Sequence, residues 1–276
     1  MTPSTDTEGT LGALVQDYVA VQCRVILESR LRLEQRDEDA VHPARVAIRR
    51  LRATLHTFAA VYRRVDREAF AQELAWLGQL LGEVRDLQVL AERFAADERV
   101  PAVVDDVLAT VFARRRRDAW AAAVTGTTSA RGVAVFAVVQ RWLSDPPARR
   151  AAGRDADAAH ALVDEARAEA SRRLRRARKA RTDTRVHAAR KAVKRHRYAV
   201  ELARPVLGAG VQTTIAEREA LQDALGAHQD AVVAAAFLRS IDTAAMDPHT
   251  VEAVRALVRR MEHTAADLDG IWAQLD

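Results

Sequence analysis

Apolar residues recur along this chain at three- and four-residue spacing, which is the period of bundled helices. No segment alternates with a period of two for long enough to read as a strand. The pattern predicts helices over 9–36, 40–64, 66–98, 101–124, 129–144, 154–182, 184–207, 211–241 and 247–275. Breakers separate them: Pro101, the TGTTS stretch at 125–129, Asp145-Pro146-Pro147, Gly208 with Gly210, and Asp247-Pro248. Ser or Thr followed three residues later by an acid is sporadic, so capping signals leave the helix ends open. The fold class expected is all-α.

The pattern also repeats itself. VHPARVAIRRLRATLH at 41–56 returns as VHAARKAVKRHRYAVE at 186–201, LGEVRD at 81–86 as LGAHQD at 225–230, and ALVQD at 13–17 as ALVDE at 161–165. Three ordered matches at nearly constant offset point to a duplicated helical unit. The expected organisation is a bundle over 9–145, a second over 150–275 with the join near Asp145-Pro146-Pro147, and a disordered tail over 1–8.

Charge sharpens the picture at two places. The chain of 276 residues carries a net charge of +5, which alone describes an ordinary surface. From Ser171 to Arg197, however, thirteen Arg or Lys residues face one acid, Asp183, and between Arg45 and Arg64 six face none. Such segments call for a polyanionic partner.

On a helix, His42, Arg45, Arg49, Arg52 and His56 share an arc of roughly 80° extended over ~20 Å. Ala44, Ala47, Leu51, Leu55 and Phe58 lie opposite. In the second copy His187, Arg190, Lys194 and Arg197 take the same arc, with Lys191 and Tyr198 just beside it. Stacked like charges cost a helix a few tenths of a kcal/mol per pair. One reading is a solvated face whose arginines pair with acids on neighbouring helices. The other is a ligand face, which the recurrence at matched positions favours. Arginine forks and lysine ammonium groups suit phosphate oxygens, and a linear row suits a linear polyphosphorylated ligand. Each histidine can donate to such an anion or bond a neighbouring helix. His56 is the weaker candidate, because Glu201 takes its place in the second copy.

HPARVAIRRLR and HAARKAVKRHRYAVE, each followed by an LG…D motif, resemble the conserved-histidine α-helical (CHAD) domain family over residues ~9–275. The resemblance implies two pseudo-twofold-related helical bundles whose basic helices line a shared groove or pore. It also implies binding of inorganic polyphosphate without catalysis, often at polyphosphate granules. Carried over residue by residue, the binding set is His42, Arg45, Arg49, Arg50, Arg52, His187, Arg190, Lys191, Lys194, Arg195, Arg197 and Tyr198. Two positions depart from the family pattern. His196 stands on the apolar face where leucine is usual, and Gln229 matches Arg85, removing any pairing role of that arginine from the second copy. The E-x-E-x-K signature of a fused triphosphate-tunnel enzyme is missing.

The remaining features are quieter. Gly82 and Gly226 fit a helix that a neighbour must approach closely, at about 1 kcal/mol relative to alanine. Asp86 and Asp230 suit the orientation of basic side chains. RRRR at 114–117 wraps its helix and reads as solvated surface, and the four tryptophans read as core or helix-contact residues. Cys23 reads as a buried apolar residue. No phosphate loop, nucleophile elbow or H-E-x-x-H is present, so no cofactor or metal is expected. The N-terminus lacks a signal peptide's charged and apolar segments, and no run of roughly 18 apolar residues follows. A cytoplasmic protein with no membrane partner is expected. The competing functions are RNA or other nucleic-acid binding in the same groove, and phosphotransfer through His42 or His187. Aromatics make up only 5% of residues, which argues against stacking on bases.

Overall fold

The structure, a computed structural model, describes residues 9–208, 210–267 and Trp272. Among them there is no strand, only two isolated bridges, Thr10 with Asp155 and Tyr62 with Ala148. The helices are α1 (Leu11–Glu34), α2 (Val41–Thr57), α3 (Arg64–Ala95), α4 (Ala102–Thr128), α5 (Ala130–Ser144), α6 (Ala159–Ala180), α7 (Asp183–Leu207), α8 (Val211–Arg239) and α9 (Pro248–Ala266). The expected tail at 1–8 lies outside the described residues, as does the expected helical stretch past Asp267 apart from Trp272.

Every predicted helix is present, and the ends differ where side chains intervene. α4 runs through the TGTT stretch because Thr127 and Thr128 turn their hydroxyls back onto the carbonyls of Ala123 and Val124, each at 2.8 Å. Ser129 then closes α4 and caps α5, its Oγ accepting from Gly132 N at 3.1 Å. The predicted helix over 40–64 stops at Thr57. Its last residues form a 3-10 turn pinned by the 145–149 segment, where Arg63 N donates to Pro147 O and Arg149 N to Val61 O. α6 begins five residues late, after two 3-10 turns, the second capped by Asp155. α7 keeps Pro205 in its last turn and ends at Gly208, whose φ of +76° favours glycine.

Among the described residues three cores hold the bundle. The largest joins α1, α2, α3 and α5 with the C-terminal half of α7, around a fully buried Trp142 stacked on Phe70 at 4.5 Å and edged by Tyr62 at 4.8 Å. Cys23 is buried within it, and its thiol is pushed up to about 12 by that burial. The second core draws on both sequence halves: Phe94 and Phe112 from α3 and α4 meet Phe237, Leu257 and Met261 from α8 and α9. The third packs Ala170 and Ala177 of α6 against Ala189 and Val193 of α7 and Leu225 of α8. Small side chains there let α6 and α7 lie close, as the short turn between them demands.

The RRRR run departs from the solvated surface expected of it. Arg115 donates to Ser240 Oγ (2.9 Å) and O (2.8 Å) at the end of α8 and lies over Phe237, while Arg116 reaches Glu38 at 2.5 Å. Trp120, Trp142 and Trp272 are buried, and Trp76 is half-buried under Arg131. Among the described residues no single helix is long and apolar enough to cross a membrane; α4 and α5 reach that composition only as a pair bent by 64°.

Candidate polyanion site

The apolar sides of α2 and α7 are buried as the periodicity requires, including Ala44, Ala47, Leu51 and Leu55 on α2 and Ala189, Ala192, Val193, Ala199 and Ala203 on α7. Their opposite sides then face outward together. A cleft of about 590 Å³ opens between them, lined by Arg45, Arg49, Arg52 and His56 of α2, by His187, Arg190, Lys191, Lys194, Arg195 and Tyr198 of α7, and by Arg67, Glu68 and Ala71 of α3. Nine of the twelve residues of the predicted binding set are on this lining.

The other three point elsewhere. Arg50 lies one residue, or about 100°, around the helix from Arg49, and binds Glu201 of α7 with Nη2 at 3.0 Å and Nε at 3.1 Å. Arg197 pairs with Glu201 at 3.4 Å and Glu219 at 2.5 Å. His42 lines a separate hollow with Glu38, Arg85, Gln88, Glu92 and Arg116. His56, by contrast, does line the cleft although it has no basic counterpart in the repeat. Arg67 escaped the sequence reading because it lies outside the repeated segments. It donates to Leu55 O at 3.3 Å and so also ties α3 to the end of α2.

The LG…D motifs meet the basic helices in parallel ways. Arg45 extends across α3, donating from Nη1 to Gly78 O (3.0 Å) and from Nη2 to Asp86 Oδ1 (3.2 Å). A Cβ at position 82 would overlap Arg45 Nη1, so Gly82 is the residue that admits this guanidinium. On the other side Arg190 Nη2 would stand 3.6 Å from a Cβ at Gly226, an ordinary contact. Asp230 favours the Arg190 charge from nearby, without the direct bond that Asp86 makes. Gln229 fills the place of Arg85 with a role of its own: its Oε1 lies 2.9 Å from His187 Nδ1. With that ring nitrogen donating to the amide oxygen, Nε2 is left for another partner.

Charge in the cleft is poorly neutralised. Arg49, Arg52, Arg190, Lys191, Lys194 and Arg195 have no carboxylate at ion-pair distance among the described residues. The one acid on the lining, Glu68, is already held by Arg64 (2.9 Å) and Arg67 (3.2 Å). Nε atoms of Arg45, Arg49 and Arg190 are buried without a partner. Burial first, and mutual repulsion after it, disfavour the charged forms in the site. Burial, then Arg190, Arg49 and Arg197, pull Lys194 down to about 7 against the opposing pull of Asp230. Burial lowers His187 as well, with Lys191, Arg190 and Lys194 adding to the effect and the Gln229 bond opposing it. An anion with several oxygens between the two helices would offset the repulsion among these cations.

His196 is 1% exposed, as its place on the apolar face predicts, and its Nδ1 has no hydrogen-bond partner. Burial, with Arg218 and Arg167 nearby, pushes it down to about 4, so it is neutral at neutral pH. Among the described residues no group of three or more His, Cys, Asp or Glu side chains is arranged to hold a metal ion.

An all-helical chain with cationic rows from two helices facing one cleft is the class of protein that fold and site define. Solved structures share that fold. PptA from Streptomyces chartreusis matches with a TM-score of 0.79 and 23% identity, over 97% of this chain and 99% of that one. The CHAD domain from the plant Ricinus communis matches with a TM-score of 0.79 and 23% identity, over 99% and 94%. No curated protein matches the chain. The CHAD domain pattern matches residues 19–239, and the chain belongs to that family.

Proposed function

We propose that the protein binds inorganic polyphosphate in the cleft between α2 and α7 and performs no chemistry on it. The observation that carries the reading is the row of six cations without an ion-pair partner, from Arg49 and Arg52 on one wall to Arg190, Lys191, Lys194 and Arg195 on the other. Keeping such groups together and partly buried opposes folding, and a polyphosphate chain offsets that cost by supplying charge-assisted bonds to both walls. Arg45 is preset by Asp86 and Gly78, and His187 by Gln229, so the donors meet the ligand already oriented. The chain's role at polyphosphate granules is part of the same proposal.

The second reading is single-stranded RNA in the same cleft. Its best support is Tyr198 on the lining, but that ring is 3% exposed and lies against the Arg50 and Arg197 guanidinium groups at 5.8 and 4.9 Å. It offers no open face for a base, whereas RNA recognition relies on stacking worth ~1–3 kcal/mol per base. A competition titration of long-chain polyphosphate against single-stranded RNA, repeated at several salt concentrations, separates the two. Polyphosphate is expected to bind more tightly, with log affinity falling steeply against log salt. Equal or tighter RNA binding would overturn the proposal.

A further inference from the structure

The basic run of α6 is not part of the cleft, although it holds much of the charge between Ser171 and Arg197. Arg172, Arg173, Arg176 and Lys179 share an arc of about 120° on this helix, extended over ~10 Å. α6 packs along α7 and also touches α2, the two helices that wall the cleft. Burial lowers the Arg195 guanidinium of the cleft lining, Glu169 of α6 opposes the effect, and Arg173 adds to it, so both α6 side chains are within electrostatic reach of Arg195. Glu169 also acts on His56, across the cleft on α2.

Among the described residues Glu169 is the carboxylate that lies between Arg195 and this arc, and it is occupied: Arg173 Nε reaches its Oε1 at 2.6 Å and Arg172 Nη2 its Oε2 at 2.7 Å. These two bonds hold its carboxyl below the usual range, so it stays ionised. Beyond it, Arg176 and Lys179 are exposed and have neither hydrogen bond nor ion pair among the described residues. A solvated charge run usually interleaves its signs. Here Arg172 with Arg176, and Arg176 with Lys179, stand at like-charge spacings that weaken the helix.

We propose that this strip of α6 is a second contact for the same polyanion, taking the part of a long polyphosphate chain that emerges from the cleft past Arg195. The inference rests on the cleft being a polyphosphate site. It makes the protein selective for chain length: short chains use the cleft alone, and long ones bind the cleft and α6 together, the second contact adding affinity by proximity.

The test compares tripolyphosphate with long-chain polyphosphate on three proteins: wild type, Arg176→Gln/Lys179→Gln, and Arg49→Ala/Lys194→Ala. The α6 variant should bind tripolyphosphate as wild type does and long chains more weakly, its salt slope for the long chain falling by about 1.5 for the two cations removed. Undiminished long-chain binding by that variant would overturn the inference and leave the cleft reading intact. With single-stranded RNA titrated as a third ligand, loss of RNA binding by that variant without loss of long-chain polyphosphate binding would also overturn it, making the strip a nucleic-acid surface. Retention of both polyphosphates by Arg49→Ala/Lys194→Ala would instead remove the cleft reading on which the inference stands.

Discussion

Glu201 of α7 accepts from Arg50 of α2 at 3.0 Å, and this pair joins the two basic helices beside the cleft. The same carboxylate takes Arg197 at 3.4 Å and the Tyr18 hydroxyl of α1 at 3.2 Å. One acid therefore converts two members of the basic rows into structural ties and leaves the remaining cations to the cleft. Glu201→Gln should lower unfolding free energy in denaturant by ~1–2 kcal/mol, a value below that of a fully buried pair because Arg50 is partly exposed. Polyphosphate affinity should change little. Strong loss of affinity with unchanged stability would mean that Glu201 shapes the ligand site and not the frame.

The two glycines of the repeated motif should respond differently to the same change. Gly82→Ala places a methyl group where Arg45 Nη1 lies, breaking its bonds to Gly78 and Asp86. Affinity should fall and thermal stability with it. Gly226→Ala meets Arg190 only at contact distance and should gain up to ~1 kcal/mol from helix propensity. Parallel melting curves and binding titrations of the two variants check this. Equal behaviour would contradict the asymmetry seen at the two sites.

Lys194 gives the site a pH dependence with a defined sign. The amine titrates at about 7 in the folded, ligand-free protein, chiefly through burial and then through Arg190, Arg49 and Arg197, with Asp230 opposing. A bound polyanion favours the ammonium, so binding takes up a proton and affinity falls as pH rises from about 7. Lys194→Arg, charged throughout, should flatten the profile. Stability of the free protein runs the other way. Between about 7 and the ordinary value of 10.5 the unfolded chain binds the proton that the folded one has lost, so this residue makes stability rise with pH there. Titrations at pH 6, 7, 8 and 9 in two buffers of different protonation enthalpy read the proton uptake directly.

His196→Leu should stabilise the protein. The change removes a buried Nδ1 that has no partner and puts an apolar side chain of similar size in its place on α7, which packs against α6 and α8. A gain of ~1 kcal/mol corresponds to roughly 2–4 °C in Tm for a chain near this size. His196 titrates at about 4 when folded against 6.5 when free, so wild-type stability drops as pH falls through that window. The variant should lose that part of the acid sensitivity. Destabilisation at neutral pH would show that the imidazole fills its place better than a leucine can.

Much of this organisation was legible in the chain because helical period and basic rows are local signals. The apolar faces of α2 and α7 follow from spacing alone, and the close approach expected at the LG…D glycines holds at Gly82, where the Arg45 guanidinium comes in, but not at Gly226, where Arg190 stands at ordinary contact distance. The rest depended on partners distant in sequence. Nothing near Arg50 announces Glu201, 151 residues on, as the acid that withdraws it from the cleft, whereas the pairing of Arg197 with Glu201 is an i,i+4 contact that the basic row around it masked. Arg115 looked solvated until Ser240, at the far end of α8, supplied its acceptors. Gln229 looked like a lost arginine, and its bond to His187 depends on how α8 lies against α7. The end of α4 shifted for a local reason instead, since Thr127 and Thr128 turned their own hydroxyls to carbonyls four residues back.

The central claim is that unneutralised cations from both walls hold one polyphosphate chain. The most direct measurement is a calorimetric titration of wild type and Arg49→Ala/Lys194→Ala with long-chain polyphosphate, with helicity and Tm recorded on the same samples. One substitution lies on each wall, and neither residue has an ion-pair partner to lose. The expected result is severe loss of affinity, a salt slope shallower by ~1–2, and unchanged helicity. Wild-type affinity in the variant, or its unfolding, would contradict the account.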